Sequence, residues 1–324
     1  MVRNPQCLVA LVMAVMFPVL AAKPAPAVAQ PSAADGGSEP AVGAGEPYLL
    51  RSAVKGDEFS ILMPSQPTAI VSRLDFSFKV DGQVIDEERI FSSYADGAVF
   101  LVRVLITSDG KKAFDQFLSK AGRRDEGADG VSARDITLGG YKGRQEEMHG
   151  KTYGYGERFY SRVQYFATKR NLYIVSATAR DENNPSIGGF FASLRLGDMT
   201  AAGDVPSTPS KGLPAAAANA APAGAEAGRV LKPDEVTRKP VIVWRPDPAV
   251  YEEVLGLNGP IFKVKLQMVL SADGQVREVK ILSGLTQAIN EKVVTSAKHT
   301  RFIPAEKDGR PVSQWHTAEY VFRR

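Results

Sequence analysis

Apolar residues along the 324-residue chain fall into two stretches of regular period, each preceded by a segment with few large apolar side chains. In the first stretch Phe59, Ile61 and Met63 alternate with other positions, and so do Leu74, Phe76, Phe78 and Val80. That two-residue period predicts half-buried strands, punctuated by Pro64, Pro67 and the turn pair Asp81-Gly82. Residues 98–107 (AVFLVRVLIT) are almost continuously apolar and predict a central strand. After Asp109-Gly110 the period changes, and Phe114, Phe117, Leu118 and Ala121 stand at i, i+3, i+4 and i+7, one stripe of a helix of about three turns. Two further strands are predicted over 158–168 and 172–179, connected at Lys169-Arg170-Asn171. Asn184 followed by Pro185 marks the start of a closing helix whose buried stripe is Ile187, Phe190, Phe191 and Leu194. Gly188 and Gly189 lower that helix's propensity by about 1 kcal/mol each relative to Ala, and close packing on the sheet is the expected reason.

In the second stretch, Val241 to Trp244 lies between prolines and should be extended, with Asp247-Pro248 capping a short helix that carries Val250, Val254 and Leu255. Residues 261–270 (IFKVKLQMVL) place Ile261, Lys263 and Lys265 on one face and Phe262, Val264, Leu266 and Met268 on the other. Ser271 to Gly274 is a hairpin turn with glycine where positive φ is expected. Val276, Val279 and Ile281 belong to the returning strand, and Thr286 caps a helix with Ile289, Val293 and Ala297 on one side. A last strand over 312–324 groups Ala318, Tyr320 and Phe322. The order predicts a three-stranded antiparallel sheet covered on one face by helix.

Residues 30–47 and 201–228 are rich in Ala, Pro and Gly, cannot bury enough surface to offset ordering entropy, and read as linkers. Residues 1–29 have a basic start at Arg3, an apolar run from Cys7 to Ala22, and Ala27-Val28-Ala29 as a small-residue cleavage site. The run is short for a membrane span, so a cleaved export signal is expected, with an uncleaved inner-membrane anchor as the alternative. The division is therefore 1–29 leader, 30–47 linker, 48–200 first domain, 201–228 linker and 229–324 second domain. The fold class is α+β: an N-terminal antiparallel-sheet α/β sandwich tethered to a small sheet-and-helix domain.

Forty Lys and Arg against 36 Asp and Glu leave +4, too mild to predict a nucleic-acid binder. The charge is uneven. Residues 229–324 hold 16 basic and 11 acidic side chains, net +5, against 21 and 20, net +1, in residues 47–200. The second domain is the one expected to meet an acidic partner or envelope surface.

The motif GDEFSILMPSQP (Gly56 to Pro67), the antiparallel strands after it and FFASLRL (Phe190 to Leu196) resemble the PsbP-like α/β domains. That implies a compact fold and no particular ligand. In the second domain, Lys239-Pro240, Pro246-Asp247-Pro248, LSADGQVREVKILSG (Leu270 to Gly284), RFIPAEKDGRPV (Arg301 to Val312) and the final YVF (Tyr320 to Phe322) resemble the TonB C-terminal domain family. The resemblance implies a non-enzymatic module that takes up an extended segment of an outer-membrane receptor by strand addition and couples inner-membrane energy to uptake. It implies the periplasm of a Gram-negative bacterium, with membrane contact only if the leader stays uncleaved. The chain departs from the family pattern in its cleavable start and in carrying a folded domain where a long Pro-rich spacer is usual.

The final strand is the expected edge, where free backbone groups can accept an added strand. Gln314, Trp315 and Thr317 lie on it; Trp315 is either an exposed anchor or packs on the sheet. Trp244 with Arg245 is either a partner contact or a lid over the core. No catalytic, cofactor or metal site is expected. Cys7 is the sole cysteine, and His149, His299 and His316 are scattered. There is no GxSxG elbow, P-loop or dinucleotide fingerprint. Tyr153, Tyr155, Phe159, Tyr160 and Tyr165 line either a ligand groove or a strand-pair core. The reading is an exported, non-enzymatic envelope protein that binds a partner in energy-dependent transport. The alternative is a soluble periplasmic ligand-binding or scaffold protein acting through its first domain.

Overall fold

A computed structural model describes residues 47–51, 59–80, 83–121, 128–152, 156–197 and 229–323. The leader, almost all of the first linker, the second linker, Tyr153 and Tyr155 lie outside them. The described chain is mostly antiparallel sheet with few helices.

The N-terminal part runs β1 (Tyr48–Arg51), β2 (Phe59–Met63), β3 (Thr68–Val80), β4 (Gln83–Ala95), β5 (Ala98–Thr107), α1 (Gly110–Ala121), β6 (Ala128–Leu138), β7 (Tyr141–Lys151), β8 (Arg158–Ala167), β9 (Asn171–Ala179), α2 (Pro185–Ala192) and β10 (Arg195–Leu196). Seven strands form one sheet in the order β3-β4-β5-β9-β8-β7-β6. The apolar run of β5 sits near its middle beside β9, which is buried along its whole length. On one face the small sheet β1-β2-β10 and α2 close a core in which Phe100 meets Phe190 edge-on and Phe59 meets Tyr173. Asn184 caps α2 through its side-chain oxygen, which accepts from Ser186 N at 3.1 Å, and Pro185 occupies the first turn. Gly188 faces open space, so close packing does not account for it. Tyr160 and Tyr165 are core residues.

The polar stretch around His149 in β7 reads as an exposed strand, whereas strands β4 and β6 were not expected, because their sequences show no clean apolar alternation. Their neighbours supply the ladder instead: β7 pairs with β6 and β8 along almost its whole length. A Cβ on Gly143 would fall 2.4 Å from the Phe166 ring, so glycine lets β7 pass that core side chain.

The C-terminal part runs β11 (Val241–Trp244), α3 (Tyr251–Leu255), β12 (Ile261–Leu270), β13 (Val276–Ser283), α4 (Gln287–Lys298), β14 (Arg301–Ile303), β15 (Ala305–Lys307), β16 (Arg310–Val312) and β17 (Gln314–Arg323). The sheet order is β13-β12-β17, and the helix-facing side chains Phe262, Val264, Leu266, Met268, Ala318 and Tyr320 pack on Ile289, Val293 and Ala297 of α4. Thr286 caps α4 by accepting from Ile289 N. Two details differ from expectation, and a third, the extended segment 241–244, is as expected and gains a partner strand. Helix α3 starts only at Tyr251, with Val250 rather than Asp247 at its cap. The last strand is broken at Ser313, because 310–312 fold back on 305–307 as a hairpin. Segment 241–244 pairs with β14 in a separate two-stranded sheet.

That second sheet joins the two parts. Val241, Val243 and Trp244 of β11 and Ile303 of β14 cluster with Ile90 of β4 and with Val99 and Leu101 of β5, on the face of the large sheet opposite α2. Two buried arginines stitch the seam. Arg180 donates from Nη2 to the carbonyl oxygens of Lys239 (2.5 Å) and Pro304 (2.9 Å) and pairs with Glu157 and Glu306, both 3.2 Å away. Arg301 donates from Nε to Ser92 Oγ (2.5 Å) and from Nη2 to Thr68 Oγ1 (2.7 Å). Burial draws its guanidinium down to about 10. A cavity of ≈ 10 Å³ beside it is lined by Thr68, Ser92, Ser93 and Tyr94, room for about one water.

Candidate partner-binding edge

Strand β12 is bonded on both sides, so β13 and β17 are the edges of the C-terminal sheet. They are not equivalent. Register slips twice between β12 and β13, and Glu278 has φ 36°, a left-handed kink within the outer strand. Bulges of this kind blunt an edge against further pairing. Against β12, by contrast, β17 keeps ten consecutive pairs, from Ile261↔Arg323 to Leu270↔Gln314, without a shift. A straight strand presents its free groups at even spacing.

Which groups point outward follows from one contact. Leu231 N donates to Ser313 O and Trp315 N donates to Leu231 O, each at 2.9 Å, a parallel bridge on the outer side of β17. The N–H and C=O of one residue in an antiparallel strand point the same way, and the direction alternates along the chain. Gln314, His316, Ala318, Tyr320 and Phe322 therefore bond to β12. Trp315, Thr317, Glu319, Val321 and Arg323 turn their backbone groups outward. Leu231 occupies this edge at Trp315. From Thr317 to Arg323, no backbone bond from outside the sheet meets the edge among the described residues.

The side chains alternate in step. Gln314 is fully buried, with Nε2 3.4 Å from the Trp315 carbonyl and Oε1 without a hydrogen-bond partner. Trp315 is half-buried on the open face, with Lys280 Nζ 5.4 Å from its ring centroid, and Thr317 on the same face is exposed. Lys263 pairs with Glu319 at 2.9 Å across the strands. On the helix face the Arg245 guanidinium lies 4.5 Å over the ring of Tyr320. Burial, helped by the Arg245 cation, draws His316 down to about 4. Burial raises the Asp247 carboxyl, and Arg245 partly offsets the rise.

Five residues stood out in the sequence, and the fold separates them. Trp315 and Thr317 share the open face beside the free edge. Arg245 lies over Tyr320 on the other face. Gln314 is sealed inside, and Trp244 faces β4 and β5 in the seam. Glu319, Val321 and Arg323 escaped notice: a two-residue alternation marks a strand but not which of its sides lacks a neighbour. Of the histidines, His149 lies 3.3 Å from Glu182 at the surface and His299 ends α4.

Residues 258–323 match the family described as Gram-negative bacterial TonB protein C-terminal. No curated protein matches the chain. Among solved structures, a Pseudomonas aeruginosa protein of unknown function, PA94, aligns at 13% identity over 50% of this chain and 100% of its own, with TM-score 0.25, a likeness too slight to carry an argument.

Proposed function

We propose, with the TonB C-terminal domain at residues 258–323 as premise, that this is an exported envelope protein whose β17 edge takes up an extended segment of another envelope protein in energy-dependent transport. The observation that carries the reading is the unshifted β17 edge, open from Thr317 to Arg323 inside the matched region. Each outward residue offers a donor and an acceptor that a partner backbone can satisfy, and alternate side chains select the sequence. The role is one of binding, with no catalysis assigned to it.

Val321→Pro tests the edge. Its N–H points away from β12, so proline removes a donor the fold does not use, a substitution edge strands tolerate. In the full chain it should leave the circular dichroism spectrum and melting curve nearly unchanged while abolishing binding of N-terminal peptides from outer-membrane receptors. Undiminished binding by a folded Val321→Pro protein would rule out strand addition on β17.

The seam supports a second reading. Arg180 and Arg301 hold the C-terminal part against the large sheet, an arrangement that suits a scaffold presenting the edge in a fixed orientation as well as a force-bearing tether. Fractionation of native cells separates the two: a soluble chain lacking the leader supports the scaffold, and a membrane-bound chain retaining it supports the coupling protein.

A further inference from the structure

We infer that the segment taken up on β17 is short and acidic. The inference rests on the strand-addition reading above and adds length and charge to it. Length follows from Leu231. Its side chain is buried and its two backbone bonds occupy the edge at Trp315, so a partner strand meets a stop there. Residues 317 to 323 remain, roughly 23 Å of strand at about 3.3 Å per residue.

Charge follows from the open face. Cross-strand partners share a face, and the register Lys263↔Val321, Lys265↔Glu319, Gln267↔Thr317 and Ile261↔Arg323 puts two lysines of β12 on the same side as the outward-row side chains of β17. Lys280 joins them through its pairing with Gln267. Four cations, Lys263, Lys265, Lys280 and Arg323, thus share this face with one carboxylate of β12 and β17, Glu319, and with Glu278 of β13, which lies 3.6 Å from Lys280. Glu319 stands between Lys263 and Lys265 and is already compensated, so the surplus is positive. The strand next to β17 places every second side chain over this face, within the roughly 8 Å over which charges act at physiological salt. Carboxylates in that row are attracted, and lysines are repelled.

The test measures anisotropy of labelled seven-residue peptides that alternate valine with glutamate, glutamine or lysine, titrated with the full chain. The glutamate peptide should bind about tenfold tighter than the glutamine peptide, and the lysine peptide more weakly than both. The difference should collapse in Lys263→Gln/Lys265→Gln and at high salt, while all binding is lost in Val321→Pro. The lysines are exposed, so the double variant should keep the parent melting curve, which checks that it is folded. Equal binding of the three peptides overturns the acidic preference and leaves strand addition standing. Binding of none of them, by a chain that melts normally, overturns both. A longer peptide that gains affinity by displacing Leu231 overturns the length limit.

Discussion

Two glycines show how the same residue type arises for opposite reasons. Gly188 lies inside α2 with open space where a Cβ would stand, so Gly188→Ala should stabilise the protein by about 1 kcal/mol, read as a raised urea midpoint at unchanged slope. Gly274 has φ +80° in the β12–β13 turn, and a Cβ there would fall 2.8 Å from Tyr94 of the large sheet. Gly274→Ala should therefore lower stability by at least about 1 kcal/mol, from the left-handed backbone before any movement of Tyr94. His316 supplies a pH signature. Its folded-state value near 4 lies below the ordinary 6.5, so between those values the unfolded chain holds a proton that the folded chain refuses. This contribution to stability is complete above pH 6.5, falls as pH drops toward 4 and then levels off. His316→Gln should flatten that limb of the stability profile measured by urea titration.

Helices α2 and α4 begin where their sequences place them because an N-cap is a local device, a side-chain oxygen meeting the next N–H groups. Thr286→Ala should cost about 1 kcal/mol and Thr286→Ser much less, as monitored by thermal melting. Helix α3 departs from its forecast: Val250, not Asp247, stands at its cap, and the turn begins with no side-chain bond. Strands β4 and β6 escape sequence reading for another reason. Their backbone is satisfied by hairpin partners next to them in the chain, and charged pairs such as Arg103 with Glu88 occupy a face of the sheet, so no apolar period is required. The β17 edge is half legible. Its alternation predicts the strand and its buried row, but only the register and the Leu231 bridge identify the outward residues.

The seam couples the two halves of the molecule. Four alternating charges, Arg180 and Glu157 from one part with Arg238 and Glu306 from the other, meet beside the carbonyls of Lys239 and Pro304, with the side chain of Arg180 buried and that of Arg238 exposed. Removing Arg180 leaves the two carboxylates to Arg238 alone and takes away the donor to both carbonyls. Arg180→Met should release the C-terminal part from the large sheet, seen as a larger radius of gyration in X-ray scattering and a separate melting transition. The β17 edge lies outside the seam, so peptide binding should survive the release.

Periods of two and of three to four residues, caps and turn glycines were sufficient to establish the helices and the apolar strands of both halves and the family likeness of the second, because these depend on contacts within a few residues. The face on which each tryptophan lies, the union of the halves through Arg180 and Arg301, and the free side of β17 depend on residues far apart in the chain, up to 233 positions for Arg301 and Thr68. Trp244 illustrates the limit: nothing in KPVIVWRPDP distinguishes a surface anchor from a side chain packed on Ile90, Val99 and Leu101. Only long-range packing removes that side chain from water, and only the pairing of β12 with β17 leaves the outward backbone groups from Thr317 to Arg323 without a neighbour.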